Sequence, residues 1–137
     1  MNGSPENMFD GKLLLDTCAL LWLASDDPHL SSAARQRIER ASIVFVSAIS
    51  AWEISLKVCR NALQLPLEAG DWFDRVCDNH NVTVAPLDTD ILIASNNLPP
   101  HHKDPADRFI IATAVKEKTA IVTADRRFAD YGVKIFI

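Results

Sequence analysis

Nowhere in the 137 residues does an apolar run approach the roughly 18–20 residues that span a bilayer, because Lys, Asp, Arg or Pro interrupts each stretch early. No membrane span is expected. Met1 to Gly11 has neither the basic start nor the apolar stretch of a secretory signal; it reads as a loose, flexible N-terminal tail ahead of one domain over 12–137. Cysteine is scarce: Cys18, Cys59 and Cys77 make an odd number without CxxC or other ligand spacing, which argues against a disulfide framework or zinc ribbon. Reduced thiols in a cytoplasm are the expectation. With only four glycines there is no glycine-rich phosphate loop and no Gly-x-Ser-x-Gly elbow. Basic charge is also in deficit, 14 Lys and Arg against 18 Asp and Glu, for a formal net charge of −4. Holding nucleic acid by bulk charge is thereby excluded. Any action on a polyanion must be local or metal-assisted.

What remains is the composition of a globular protein, 48% hydrophobic and 23% charged, with a mean hydropathy of +0.03. A chain of this length buries roughly two-thirds of its unfolded surface. No repeat, low-complexity tract or linker divides it. Short β-like runs alternate with longer helical ones. Lys12 to Leu15, Ile43 to Val46, Val82 to Val84, Ala120 to Thr123 and Val133 to Phe136 read as strands. Between them, helices are predicted over Thr17 to Ala24, Ala33 to Ala41, Ser47 to Asn61, Leu67 to Asn79, Asp88 to Asn96 and Ala106 to Lys118, the last opened by Pro105. Such alternation implies right-handed crossovers and a mostly parallel sheet covered on both faces, a three-layer α/β/α fold.

In sheets of this kind the reactive crevice lies outside the carboxyl ends of the strands. Asp16 follows the first strand directly, and Asp125 follows the fourth by two residues. Asp104 and Asp107 stand at the mouth of the Pro105 helix, and Glu53 lies within the helix after the second strand. Each acid has a plain structural explanation. Asp104 is a ready N-cap with Asp107 favoured by the helix dipole, Ser50 and Glu53 match a capping box, and Asp16 and Asp125 suit the starts of turns. None of these explains why four separate segments send a carboxylate to one rim. Carboxylates brought that close repel unless a cation neutralises them, and a hard ion such as Mg²⁺ or Mn²⁺ prefers oxygen ligands. Such an ion also suits phosphodiester hydrolysis.

Leu15-Asp16-Thr17, Trp52-Glu53-Ile54, Asp104-Pro105-Ala106-Asp107-Arg108 with Ile111-Ala112-Thr113-Ala114, and Val122-Thr123-Ala124-Asp125 together resemble a PIN domain of the VapC toxin type. The resemblance covers about Lys12 to Ile137. It implies a metal-dependent endoribonuclease acting on RNA, the toxin of a toxin–antitoxin pair held inactive by a VapB-like antitoxin, and a homodimer. Carried over by motif, Asp16, Glu53, Asp107 and Asp125 match the family's four acids, which bind Mg²⁺ or Mn²⁺ and activate water. Thr17 and Thr123 match supporting hydroxyl positions. Spacing leaves open whether Asp104 or Asp107 faces the metal; Asp107 is favoured.

Among lesser candidates, Arg108 and Arg126 adjoin the acids and are expected at RNA phosphates, ahead of Lys57, Arg60 and Arg127. His101 and His102 in the Pro-rich loop are expected to be exposed and idle, and Trp22, Trp52 and Trp72 to serve core or interface. Leu20 to Leu23 is dense enough in apolar residues to suggest a dimer face. The competing reading is a module acting by binding, either a catalytically silent PIN scaffold or a receiver-like α/β domain. A receiver, however, requires an acidic pair after the first strand, where this chain has Asp16-Thr17.

Overall fold

The computed structural model describes residues 11–137. The expected tail therefore lies outside the described residues except for Gly11, whose carbonyl accepts from Ile43 N at 3.0 Å and from the Ser42 hydroxyl. The elements run β1 (Lys12–Leu15), α1 (Thr17–Ser25), α2 (Ser32–Arg40), β2 (Ile43–Ser47), α3 (Ala48–Cys59), α4 (Ala69–Asn79), β3 (Val82–Ala85), α5 (Thr89–Asn97), α6 (Pro105–Glu117) and β4 (Ala120–Val122). A 3₁₀ turn (Arg126–Tyr131) and β5 (Ile135–Phe136) complete the fold. Every strand pair is parallel and the sheet order is β3-β2-β1-β4-β5, so the expected α/β class holds with a sheet parallel throughout.

Alternation along the strands explains the layering. Leu13, Leu15, Val44, Val46 and Val122 face a core built with Leu20 and Leu23 of α1, Ala34 and Ile38 of α2 and Trp72, Phe73 and Val76 of α4. Leu14 and Ile121 point the other way, onto Ile49 of α3, Ile110, Ile111 and Ala114 of α6, and Phe128. Both faces are dry, which is why Leu13-Leu14-Leu15 reads as an unbroken apolar run. Each fully buried side chain of this size contributes about 1.5–3 kcal/mol. Leu20 and Leu23 thus belong to the chain's own core. That packing accounts for Leu20 and Leu23 of the apolar cluster in α1 and takes those two out of the suggested dimer surface, while Leu21 and Trp22 remain partly exposed.

Local caps set the boundaries. Ser47 caps α3, with its hydroxyl accepting from Ile49 N at 3.2 Å, so the helix is already a turn old at Ser50 and Glu53 closes no capping box. Glu68 caps α4, which begins two residues later than predicted because Leu67 precedes the cap. Lys118 ends α6 in the left-handed region at φ 53°, and Gly132 at φ +79° closes the 3₁₀ turn, a conformation that favours glycine.

The chain winds outward from β1 to β2 and β3, then returns across β1 to add β4 and β5. The connections leaving β1 and β4 therefore part to opposite faces, and the crevice of the fold opens at the carboxyl ends of those two strands.

Candidate active site

Asp16 leaves the end of β1 and caps α1, its Oδ1 accepting from Ala19 N at 2.8 Å while its own N–H reaches Val122 O across the switch point at 3.1 Å. It is 8% exposed. Burial raises its pKa, Glu53 and Asp125 push in the same direction, and hydrogen bonds from Thr123 and Ala19 oppose them. Thr123 serves both strand ends: its hydroxyl oxygen accepts from Asp125 N at 3.0 Å and its proton goes to the Asp16 carboxylate.

Glu53 reaches the crevice from α3. Its Oε1 accepts from Thr17 Oγ1 at 2.5 Å, and the buried Ser50 hydroxyl, 2.7 Å from Thr17 Oγ1, donates to the oxygen that has given its proton away. Thr17 and Thr123 therefore sit where their motif positions imply, beside Glu53 and Asp16. Cys18, next in sequence, has its thiol pushed up by burial and by Asp16, away from a nucleophilic thiolate.

Asp104 and Asp107 separate into different roles. Asp104 Oδ1 accepts from Ala106 N at 2.9 Å and Asp107 N at 3.4 Å, capping α6 as its bland explanation required. Asp107, one turn further on, faces the crevice. Burial, and then the nearby Asp104 charge, raise its pKa to about 7, with Glu53 and Asp16 adding to the rise and His102 opposing it. Asp125 is the opposite case. The exposed Arg127 lowers it to about 2, donating from Nε and the backbone N to Oδ1 at 3.0 Å each and from Nη2 to Oδ2 at 2.8 Å.

His102 departs from expectation. It is 3% exposed, with Nε2 lying 2.9 Å from Asp125 Oδ2 and 3.0 Å from Asp107 Oδ2. His102, Asp107 and Asp125 bring one ligand-type atom each to within 4.8 Å of one another, the one such group among the described residues. Its backbone N–H donates to Tyr131 Oη at 2.8 Å and its ring meets Phe128 edge-on at 5.7 Å. Its place two residues ahead of Asp104, in the loop feeding an acid-bearing helix, was the available signal. Nothing in the sequence distinguishes it from the exposed His101.

Arg108 also departs from expectation. Its guanidinium donates to the carbonyls of Ser95, Leu98, Pro99 and His102 and to the Tyr131 hydroxyl, so its donors tie down the loop and are turned away from any phosphate. Arg126 is exposed beside Asp125. Trp52 is 56% exposed and lies outside the core. With Ile49, Leu56 and Phe109 it lines a groove of about 690 Å³ between α3 and α6, which opens beside Glu53 and Asp104 and carries Lys57 and Arg60.

Four acids from four segments thus meet at one crevice, two of them with raised pKa values. Hard, anionic oxygen donors that repel one another form a donor set suited to a divalent cation such as Mg²⁺ or Mn²⁺.

A family model described as PIN domain matches residues 13–134. Over 120 residues, 87% of this chain and 91% of the relative, the sequence is 32% identical to Ribonuclease VapC22 of Mycobacterium tuberculosis. Among solved structures, VapBC2 from Rickettsia felis bound to a DNA fragment from its promoter aligns with a TM-score of 0.69 at 12% identity, covering 91% of this chain and 97% of that one. DNA-bound VapBC from Salmonella typhimurium aligns at 0.66 and 20% identity, over 91% and 96% of the two chains.

Proposed function

The chain belongs to the PIN domain family, and on that premise we propose that it is a divalent-metal-dependent endoribonuclease, the toxin of a toxin–antitoxin pair. The observation that carries this reading is the convergence of Asp16, Glu53, Asp107 and Asp125 on the switch-point crevice, with Thr17 and Thr123 orienting two of them. A curated relative that is a ribonuclease supports the activity.

Asp16, Asp107 and Asp125, with Glu53 beside them, would hold Mg²⁺ or Mn²⁺, while Asp104 is committed to capping α6. Such an ion supplies Lewis acidity toward a phosphate oxygen and acidifies water. The chain's own residues do the rest. Thr17 holds the Glu53 carboxylate toward the crevice, and Thr123 locks the end of β1 to the turn after β4, so that the acids meet the substrate in one arrangement. The exposed Arg126, with Lys57 and Arg60 on the groove, suits the phosphates flanking the scissile bond. This local placement answers the net acidity, since attraction is needed only at the rim.

Structural neighbours that are VapBC complexes support a VapB-like antitoxin as partner; a homodimer as the toxin's own state rests on the family resemblance alone. Among the described residues no helix is long and apolar enough to cross a membrane. That, together with the unpaired cysteines, fits action in the cytoplasm.

The test is cleavage of a mixed RNA pool by purified protein with Mg²⁺, Mn²⁺ or EDTA, alongside Asp16→Asn and Asp125→Asn. Cutting is expected only with metal, and a loss of a hundredfold or more is expected in both folded variants. Wild-type rates in either variant would overturn the assignment.

A further inference from the structure

His102 is the one buried imidazole at the crevice, and it lies outside the four acids on which the proposed activity rests. Its proximity to Asp107 and Asp125 invites its reading as a metal ligand. The hydrogen bonds around the ring point elsewhere. The Asp104 backbone N–H donates to His102 Nδ1 at 3.2 Å. A backbone amide can only donate, so Nδ1 must present its lone pair. The neutral imidazole then carries its proton on Nε2. Nε2 is also the atom facing Asp125 Oδ2 at 2.9 Å and Asp107 Oδ2 at 3.0 Å, and in the ionised form that binds a cation both carboxylates only accept from it.

We propose that His102 is a positioning residue whose Nε2–H, fixed in that tautomer by the Asp104 amide, clamps the Asp107 and Asp125 carboxylates together for cation binding without itself ligating the ion. Ligation through Nε2 requires the proton to move to Nδ1, where it would face the Asp104 N–H, donor against donor. That amide has little freedom to turn away, because it belongs to the residue that caps α6. The loop bearing His102 is held from both sides, its N–H donating to Tyr131 Oη at 2.8 Å and its carbonyl accepting from Arg108 Nη1 at 2.9 Å. Asp107 arrives on α6 and Asp125 on the turn after β4. One shared donor between them sets the separation of two acids that would otherwise move apart. Donors outside the ligand set that orient ligating carboxylates typically change metal affinity by about 10–100-fold when removed.

This inference rests on the proposed metal site, and the experiment separates the two. Full-length protein is loaded with Mn²⁺, the affinity is measured by electron paramagnetic resonance titration, and the bound ion is examined by electron spin echo envelope modulation for the coupling of a directly coordinated imidazole nitrogen. The expected result is tight Mn²⁺ binding without that coupling in the wild type. In His102→Ala, affinity should fall by about 10–100-fold. In His102→Gln, whose amide keeps one donor and one acceptor, it should return to within about threefold of wild type. Circular dichroism checks the fold of each variant, and the wild-type spectrum answers the ligation question even if His102→Ala fails to fold. A directly bound nitrogen, or a folded Gln variant with Mn²⁺ binding as weak as that of Ala, overturns the inference and leaves the metal site standing. Wild-type protein that takes up no Mn²⁺ overturns the metal reading itself, and this inference with it.

Discussion

Replacing Arg108 with Ala is expected to cost stability before it costs anything at the substrate. Nη2 donates to Ser95 O at 2.7 Å and Leu98 O at 2.9 Å, and Nη1 to His102 O at 2.9 Å, Pro99 O at 3.0 Å and Tyr131 Oη at 3.3 Å. The two hydrogens of Nη1 cannot serve three acceptors fully, so the weakest contact is set aside. Each remaining bond, with one charged partner, contributes about 1.5–3 kcal/mol. The loop is near the surface, and its carbonyls regain water once released, which returns much of that sum. A net loss of about 3–4 kcal/mol is the working figure, near the upper end of what single substitutions do. For a domain of this size that lowers Tm by roughly 10–15 °C. Arg108→Lys should recover less than half of the loss, because an ammonium is a point charge and not a planar fork. Thermal unfolding in EDTA reads the loss, and RNA affinity is compared at a temperature below both transitions. An Ala variant that melts within about 3 °C of wild type while binding RNA tenfold more weakly would refute the reasoning and return Arg108 to the phosphates.

Asp107 predicts a pH dependence. Its carboxyl titrates near 3.9 in an unfolded chain but at about 7 in the fold, through burial and Asp104. The folded state therefore holds the extra proton between about pH 4 and pH 7, and the ion-free protein should lose stability as pH rises through that window. Asp107→Asn should flatten the profile and melt several degrees higher at pH 8 in EDTA; parallel Tm-against-pH curves for the two proteins would count against it. Arg127 occupies both oxygens of Asp125 yet is 60% exposed, so its release costs little. Arg127→Ala should tighten Mn²⁺ binding by at most about fivefold, the scale of an exposed ion pair, in a calorimetric titration; weaker binding would mean that Arg127 helps to build the site. Thr17→Val removes the donor to Glu53 and strips the buried Ser50 hydroxyl of its acceptor. It should destabilise by about 1–3 kcal/mol in urea unfolding and slow cleavage about tenfold, and unchanged cleavage would show that Glu53 needs no orienting.

Much of the fold was legible because its signals are local. Continuous apolar runs such as Leu13-Leu14-Leu15 mark strands dry on both faces, and alternation with helical periods implies parallel crossovers. Asp104-Pro105 announces a helix start through chemistry within three residues, and Asp104 caps as its type suggests. The acids were legible for a related reason. A residue just past a parallel strand must lie at one edge of the sheet, so Asp16 and Asp125 could be placed together before any distance was known.

Tertiary structure decided everything that depends on which side chain reaches across. Glu53 matches a capping box, but the helix starts a turn earlier at Ser47, which frees its carboxylate for Thr17. His101 and His102 are equivalent in sequence; only the fold turns His102 inward and leaves His101 outside. Arg108 adjoins the acids on paper but lies on the side of α6 that faces the α5 carboxyl end and the Pro99 loop, whose carbonyls claim it. Trp52 carries an apolar helical spacing and still stays outside. Periodicity and strand ends are properties of the chain and survive in its one-dimensional order, whereas the choice among carbonyls, carboxylates and solvent as partners for a long side chain exists only once separate segments have been brought together.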